Sequence, residues 1–181
     1  MRNNTTYNNR QPLWKQKLLR AREQWYLKHH TAARDFGVPL PVYSDKDTNS
    51  LTRCICAWLK YKEHYANRIN SQGQVRLERV ELANGGHYKK ANWTRGNTNP
   101  GTADITAVIY GKHIAIEVKC KRTKDRMRPD QLKEKQRIEA AGGIYHVATD
   151  MESFIEWYEQ TFEDSRNGFE LFEQPEQSKT C

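Results

Sequence analysis

Two carboxylates and a lysine stand close together in the segment GTADITAVIYGKHIAIEVKC, which covers residues 101–120. Asp104 precedes an apolar stretch, and Glu117 and Lys119 follow it. Carboxylate oxygens bind hard divalent cations such as Mg²⁺, and a lysine beside them can stabilise negative charge on a phosphate. These residue types therefore indicate metal-dependent chemistry on a phosphodiester.

The apolar stretches on either side of Gly111 predict a β-hairpin that positions these groups. Residues 105–110 and 113–120 are rich in β-branched residues, and Gly111-Lys112 fits a two-residue turn. With that turn, Asp104 pairs with Lys119 and Thr106 pairs with Glu117. Paired residues share a face, and a diagonal pair lies roughly 7–8 Å apart, so both acids can reach one metal ion. The opposite face is almost wholly apolar: Ile105, Ala107, Ile109, Ile114, Ile116 and Val118.

The alternative is an ordinary solvated strand surface on which Glu117 and Lys119 form a surface ion pair. An acid followed two positions later by a lysine is common, so the spacing alone does not decide. The context favours a site, because these charges interrupt the most hydrophobic strand of a very polar chain. Half-buried charges need partners or a metal.

Several motifs together resemble one nuclease family. GTADI, the hairpin ending in IEVK, the motif RPDQ and the run AAGGIYHVA are similar to the VRR-NUC branch of the PD-(D/E)XK nucleases. The resemblance extends from about Leu51 to Ala148, and its most specific part runs from Gly101 to Gly143. It implies a restriction-endonuclease-like α/β fold, with a mixed β-sheet flanked by helices.

The resemblance also implies a role for each matching residue. Asp104 and Glu117 become ligands of Mg²⁺ or Mn²⁺, and Lys119 becomes the catalytic lysine. Gln131 matches the family's glutamine on the following helix, although an exposed helix residue is the alternative for it. The backbone carbonyl of Val118 is a further expected metal ligand, since it lies between the two strand residues.

The first helix departs from the family pattern, in which many members carry an acid. Asn49 stands near the expected place, and Asp47 lies two positions earlier. This leaves room for a weaker or one-metal site. Thr48, Asn49 or Ser50 can equally cap the helix. The rival function is therefore a DNA-binding or anti-defence protein that keeps the fold and does not cut.

The charge distribution agrees with a polyanionic partner. The chain carries a net charge of +8, and its middle section, residues 45–149, is strongly basic. Residues 150–181 are acidic, with nine acidic and two basic residues. A basic centre that holds an acid-acid-lysine site fits DNA. Solvated surface is the alternative for Arg68 and Arg76. The expected DNA contacts are Arg68, Arg76, Lys89, Lys90, Arg95, Lys121 and Arg122.

Three segments are predicted along the chain: a basic helical N-terminal extension (1–44), the nuclease domain (45–163) and an acidic flexible tail (164–181). The extension contains a helix from Pro12 to about Phe36, which either packs on the core or forms an arm that grips phosphates or a partner. Within the domain, the pattern predicts a helix over 49–65 and two short strands around a turn at 71–74. A long polar loop over 83–100, which includes Trp93, either contacts DNA by stacking and backbone binding or is inert.

The C-terminal half predicts a helix, a strand and a final helix. Pro129 fits a first helical turn, and Gly142-Gly143 stops that helix after about Ala141. The strand at 143–148 follows a helical crossover and should therefore run parallel to its predecessor. A capping box that starts at Thr149 opens the last helix, which runs to about 162.

Bulk features bear on location and assembly. The sequence contains no run of about 18 apolar residues, so no transmembrane helix is predicted. The N-terminus lacks the apolar core of a secretory signal. Four cysteines without Cys-x-x-Cys spacing favour free thiols in a reducing cytoplasm, the host cytoplasm if a phage encodes the chain. The resemblance implies a nuclease of phage or mobile-element type that acts in replication, repair or recombination, with branched DNA among its substrates. It also implies a homodimer, while RNA remains an alternative substrate.

Overall fold

The computed structural model describes residues 11–30, 41–69, 74–82, 85–94, 99, 101–123 and 126–163 of the 181-residue chain. Its helices are α1 (Leu13–His29), α2 (Thr48–Tyr61), α3 (Pro129–Ala140) and α4 (Met151–Tyr158). Its strands are β1 (Tyr65–Arg68), β2 (Gln74–Glu81), β3 (His87–Thr94), β4 (Ile105–Ile109), β5 (Lys112–Val118) and β6 (Ile144–Ala148). A 3₁₀ turn spans Lys121–Thr123, and a π-helical turn, Glu159–Glu163, extends α4.

The strands of the described residues divide into two sheets. β1, β4, β5 and β6 form a mixed sheet in the order β1-β4-β5-β6. The first three are antiparallel neighbours, and β6 runs parallel to β5 as predicted. Helices flank this sheet, which confirms a mixed α/β architecture. β2 and β3 form a separate antiparallel pair, which we call the ribbon.

The turn between β4 and β5 lies one residue earlier than predicted. Ile109 pairs with Lys112, so Tyr110 and Gly111 form the two-residue turn. Their φ angles are 46° and 78°. Positive φ at both central residues is typical of a type I′ turn, whose twist matches that of the flanking strands. The matching twist is the physical reason for this position, although Tyr110 must adopt a left-handed conformation.

The pairs predicted for the site residues are therefore wrong. Thr106 pairs with Ala115 and not with Glu117, and the predicted pair of Asp104 with Lys119 is not formed either. The register differs from the prediction by two residues. Because side chains alternate with a period of two, each residue keeps its predicted face.

The apolar face of the β4–β5 hairpin is buried as predicted. Helices α1, α2 and α4 contribute to the main core beside it, in which Trp58 and Phe154 are among the largest buried side chains. All six predicted core residues of the hairpin are at most 1% exposed: Ile105, Ala107, Ile109, Ile114, Ile116 and Val118. This packed face fixes the orientation of the hairpin, and so it determines where the opposite face points.

Helix α1 packs on the core. Trp14, Leu18 and Ala21 belong to the main core, and the helix contacts α2 and α4. For these residues the packing alternative is therefore the observed one. The helix ends at His29, earlier than expected, and His30 is extended. Residues 1–10 and 31–40, and the predicted acidic tail 164–181, lie outside the described residues.

Helix α2 begins within one residue of the predicted start, whereas its N-cap and its end differ from the prediction. Asp47 is the N-cap, and its carboxylate accepts a hydrogen bond from the amide of Ser50 at 2.9 Å. The expected continuation to residue 65 is wrong, because Glu63 adopts a left-handed φ of 64°. The amide of His64 then reaches back to the carbonyl of Leu59, which closes the helix end as a Schellman motif does. Strand β1 follows directly.

The two strands predicted around residues 71–74 exist, but they do not pair with each other. β1 pairs with β4, and β2 pairs with β3. The predicted polar loop over 83–100 is also corrected, because His87–Thr94 is a regular strand. Most side chains of the ribbon are exposed, so its strands lack the alternation of burial that marks a half-buried strand.

The C-terminal half follows the prediction except at one cap. Helix α3 begins at Pro129 and ends at Ala140, before Gly142 at a φ of 83°. Asp150, and not Thr149, caps α4 by accepting from the amide of Ser153. Among the described residues, no helix is long and apolar enough to cross a membrane.

Candidate active site

The second face of the mixed sheet carries the residues predicted for catalysis. Alternation along β5 places Ala115 and Glu117 on this face, opposite the main core. In β6, Tyr145 pairs with Ala115 and Val147 pairs with Glu117, so both join the same face. A small apolar wall lines it, formed by Ala103, Ala115 and Tyr145 with Met127, Ile138 and Val147 packed against them.

Glu117 and Lys119 form a buried ion pair. The Nζ of Lys119 lies 3.0 Å from Oε1 of Glu117, and their side chains are 7% and 3% exposed. A solvated surface pair is therefore not what the structure contains. Two charges withdrawn from water at this depth require each other and further hydrogen bonds.

Gln131 supplies one of those hydrogen bonds. Its Nε2 donates to Oε1 of Glu117, while its own Oε1 accepts from the amide of Arg128 at 2.9 Å. Its position in the first turn of α3, behind Pro129, brings the amide onto the sheet face. The alternative of an exposed helix residue does not hold, because Gln131 is half-buried against Glu117.

Asp104 lies beside the same strand end. Its Oδ2 accepts a hydrogen bond from the backbone amide of Val118 at 2.9 Å, and its carbonyl accepts from the amide of Ile69 at 2.8 Å. Asp104 is thus fixed between β1 and β5, just before β4 begins. The side chain of Val118 is buried in the main core, so only its backbone belongs to the site.

Gly101 joins the loop before Asp104 to the start of α3. Its φ is 83°, and a Cβ at this position would collide with the backbone carbonyl of Asp130. Two properties therefore require glycine here. Other L-residues resist a positive φ, and a side chain would push the loop away from α3. The close approach holds Asp104 near the helix turn that carries Gln131.

The electrostatics of Glu117 follow from this packing. Burial raises the pKa of Glu117 above its ordinary value, and the nearby charge of Asp104 raises it further. Hydrogen bonds from Lys119 and Tyr145 partly offset both effects. Perturbation by burial together with a specific neighbouring charge is typical of functional carboxylates.

Tyr145 was not predicted as a site residue. Its hydroxyl points at Oε2 of Glu117 across 3.5 Å, and the residue is 6% exposed. Burial and the negative charge of Glu117 raise the pKa of Tyr145, so it remains a neutral donor. The signal was the alternation in β6, which places Tyr145 and Val147 on the face opposite Ile144.

The oxygen donors of this face fit a hard divalent cation. Mg²⁺ commonly binds through one or two carboxylates and retains several waters, and Asp104 and Glu117 supply two. Among the described residues, no group of three His, Cys, Asp or Glu side chains is arranged to hold a metal. The described part of the chain therefore offers two carboxylates at most, which is compatible with Mg²⁺ or Mn²⁺ and does not resemble a structural zinc site.

The first-helix position holds no acid that reaches the site. Asn49 accepts a hydrogen bond from Arg68 Nη2 at 2.6 Å, and Asp47 caps the helix. Arg68 pairs with Ile105, so it extends toward the α2 side of the sheet edge. It lies next to Asp104 along the sheet, although its side chain is directed to the other face.

The remaining predicted DNA contacts lie in two regions. Arg76, Lys89 and Lys90 are exposed on the ribbon, and Arg95 lies outside the described residues. Lys121 forms an ion pair with the cap residue Asp150 at 2.5 Å. Although partial burial opposes it, hydrogen bonds from Lys121 and Ser153 lower the pKa of Asp150 to about 2. Lys121 therefore has a structural partner, whereas its neighbour Arg122 is exposed.

A cleft of about 430 Å³ opens at the other end of β5, beside α3. Its lining includes His113, Glu134 and Arg137. His113 shares a hydrogen bond with Thr106, and Arg137 is paired with Glu134 at 3.1 Å. Each of these polar groups already has a partner, and Glu117 does not line the cleft.

Asp104, Glu117, Lys119 and Gln131 therefore meet on one face, whereas the described residues among the predicted DNA contacts lie on β1, on the ribbon and in the 3₁₀ turn. Comparison with known proteins adds no identification, because no protein-family model matches the chain and no curated protein matches it significantly.

Proposed function

We propose that the chain is a metal-dependent endonuclease that hydrolyses phosphodiester bonds of DNA. The observation that carries this proposal is the buried pair of Glu117 and Lys119 beside Asp104. Burying an ion pair rarely adds stability over an apolar pair of the same volume, so stability alone does not explain the arrangement.

The residues divide the chemistry among them. A Mg²⁺ or Mn²⁺ ion held by Asp104 and Glu117 would neutralise charge on the phosphoryl oxygens and lower the pKa of a bound water. Lys119 presents a positive charge on the same face, where it stabilises developing negative charge or orients the attacking water. Gln131 holds Oε1 of Glu117 in place. The carbonyl of Val118 is a further proposed ligand.

The family resemblance extends the proposal to the fold and the biological setting. The order of strand, strand, helix and parallel strand after Gly101 is consistent with a restriction-endonuclease-like core. We propose membership of the VRR-NUC branch, a role in replication, repair or recombination, and assembly as a homodimer. The exposed Arg76, Lys89, Lys90 and Arg122 supply positive charge for the DNA backbone.

Cleavage assays test the proposal directly. Purified protein is incubated with labelled linear, forked and four-way DNA in Mg²⁺, in Mn²⁺ and in EDTA, and with RNA of matched sequence. We expect metal-dependent products from DNA that disappear in EDTA and with Asp104→Asn. The control variant Asp130→Asn alters an exposed aspartate of α3 and should cut normally. DNA binding without any metal-dependent product would contradict the proposed enzymatic activity.

The second candidate is a DNA-binding or anti-defence protein that does not cut. The contact between Asn49 and Arg68 favours it, because the position at which many family members carry an acid is occupied by an amide. The same assays separate the two candidates. For this candidate we expect binding that is equal in EDTA and Mg²⁺, and that Asp104→Asn leaves unchanged.

A further inference from the structure

One face of the ribbon exposes three large apolar side chains. Val75, Leu77 and Trp93 are 62%, 63% and 65% exposed. Val75 pairs with Trp93, and Leu77 pairs with Ala91, so all four share a face. Exposed apolar groups that form a contiguous surface indicate a binding surface more often than single ones do.

Beyond Leu77 the same face carries two cationic side chains, and its last pair before the turn is Glu81 with His87. Arg79 pairs with Lys89, two positions beyond Leu77. The Nη2 of Arg79 lies 3.4 Å from Nδ1 of His87. An indole with aliphatic neighbours is thus followed by two cationic groups along one surface.

These properties select one kind of partner. The indole and its neighbours require a flat apolar surface, whereas Arg79 and Lys89 require negative charge. Unpaired nucleotides provide both, because their bases stack on aromatic rings while their phosphates meet basic side chains. A fully paired duplex keeps its base faces inside the stack and presents mainly polar edges, which do not match this face.

The chain keeps the ribbon within reach of the site. The amide of Ile69 is bonded to the carbonyl of Asp104, and β2 begins at Gln74. Five residue steps span at most about 18 Å, so the base of the ribbon lies within about that distance of Ile69. Nucleotides on the ribbon can therefore be continuous with a strand whose phosphodiester lies at the carboxylates.

We propose that this face of the ribbon binds a single-stranded segment of the DNA substrate. One unpaired base stacks on Trp93, and neighbouring phosphates contact Arg79 and Lys89. The inference rests on the proposed nuclease function for the identity of the polymer, and it adds that the substrate contains unpaired nucleotides beside the bond that is cut.

Binding measurements in EDTA test this without requiring cleavage. Fluorescence anisotropy compares labelled oligo(dT) with a blunt duplex of equal length. Trp93 is the exposed one of the five tryptophans, so its emission should change when oligo(dT) binds. Trp93→Ala should weaken oligo(dT) binding about tenfold to a hundredfold, and Trp93→Phe should restore most of it.

Two further variants identify the face. Tyr88→Ala removes an aromatic ring of 49% exposure from the opposite face, and binding should not change. Arg79→Gln with Lys89→Gln should lower the salt slope of oligo(dT) binding by about 1.4, or about 0.7 for each phosphate that the protein no longer neutralises. Circular dichroism spectra should show that each variant retains its secondary structure.

Three outcomes would overturn the inference. They are equal oligo(dT) binding by wild type and Trp93→Ala, equal affinity of wild type for oligo(dT) and blunt duplex, and conversion of a dimer to a monomer by Trp93→Ala with unchanged DNA binding. The last would make the face an interface between two copies. Stacking on Trp93 without cleavage of any substrate in Mg²⁺ would instead refute the nuclease proposal and leave this inference standing.

Discussion

The side-chain amide of Gln131 connects the first turn of α3 to the buried carboxylate of Glu117, to which it donates while accepting from the amide of Arg128. One residue thus stabilises a helix start and holds a catalytic candidate in place. The sheet face and the helix are coupled through this contact, and changes at either one should affect the other.

Replacing Gln131 tests that coupling. Gln131→Ala removes a donor to a buried carboxylate, which should cost about 1–3 kcal/mol of stability. We expect cleavage to fall about tenfold because Glu117 is no longer held in its orientation. Thermal unfolding and single-turnover cleavage measure the two effects. Gln136→Ala, an exposed glutamine of the same helix, is the control and should change neither quantity.

Replacing Lys119 should lower both the cleavage rate and the stability of the fold. Lys119→Met leaves Glu117 buried without its cation, and breaking a buried pair costs about 3–5 kcal/mol. The loss of a positioned positive charge should lower the cleavage rate on the order of 10²–10³-fold. Lys133→Met on the exposed face of α3 is the matched control. If Lys119→Met retains full activity, Lys119 takes no part in the mechanism.

The raised pKa of Glu117 predicts two opposite dependences on pH. The fold favours protonation of Glu117 more than the unfolded chain does, so this group's contribution to stability is full below its ordinary pKa of about 4.5 and is lost as pH rises through the raised value. The stability of wild type relative to Glu117→Gln should therefore fall as the pH rises above 4.5. Denaturant titrations at several pH values measure this difference.

Metal binding should show the opposite trend, because a carboxylate ligand must be ionised. Mn²⁺ affinity and cleavage by wild type should both rise through the same pH range. Isothermal titration of Mn²⁺ into wild type and Glu117→Gln gives the first quantity. An affinity that does not depend on pH would mean that Glu117 is not a ligand.

Alanine variants at two glycines distinguish the cost of a left-handed backbone from the cost of a steric clash. Gly101 and Gly142 share a φ of 83°, but only a Cβ at Gly101 would meet other atoms. Gly142→Ala should cost about 1–2 kcal/mol for the left-handed conformation and leave cleavage unchanged. Gly101→Ala should cost more and also lower cleavage, since it pushes the Asp104 loop from α3. Equal effects of the two variants would contradict this account.

Asp47 should act as a helix cap and not as a metal ligand. Asp47→Ser retains a capping oxygen and removes the charge, so thermal stability and cleavage should both stay near wild type. Asp47→Ala should lower the melting temperature and leave cleavage per folded molecule unchanged. A selective loss of cleavage with Asp47→Ser would place this acid in the site after all.

The sequence predicted the site face better than it predicted the register. Apolar alternation identified the buried side of β4 and β5, and the remaining face followed from the period of two. The turn position depended on whether Tyr110 or Lys112 accompanies Gly111, and the sequence does not show that Tyr110 accepts a positive φ. The predicted register of β4 against β5 was wrong by two residues. This equals the period of side-chain alternation, so the same side chains still project from one face.

Other elements were not predicted from the sequence, because tertiary contacts determine them. β3 is exposed on most of its length, so no burial pattern marks it as a strand. The end of α2 uses Glu63 where a glycine is usual, and Lys28 and His29 of α1 hold its carboxylate. Tyr145 gains its role from a parallel pairing that only the assembled sheet creates. Such contacts join residues that are distant in the chain.

The ribbon interrupts the connection between two strands that are direct neighbours, since β1 pairs with β4 and both strands of the ribbon lie between them in the chain. Pairing Arg68 with Ile105 must therefore close a long loop during folding. Each halving of a loop lowers the closure cost by only about 0.6 kcal/mol, so the excursion is thermodynamically inexpensive. The mixed sheet should therefore form without the ribbon. If a short turn replaces the segment between β1 and β4, the sheet should refold faster and Glu117 should remain buried.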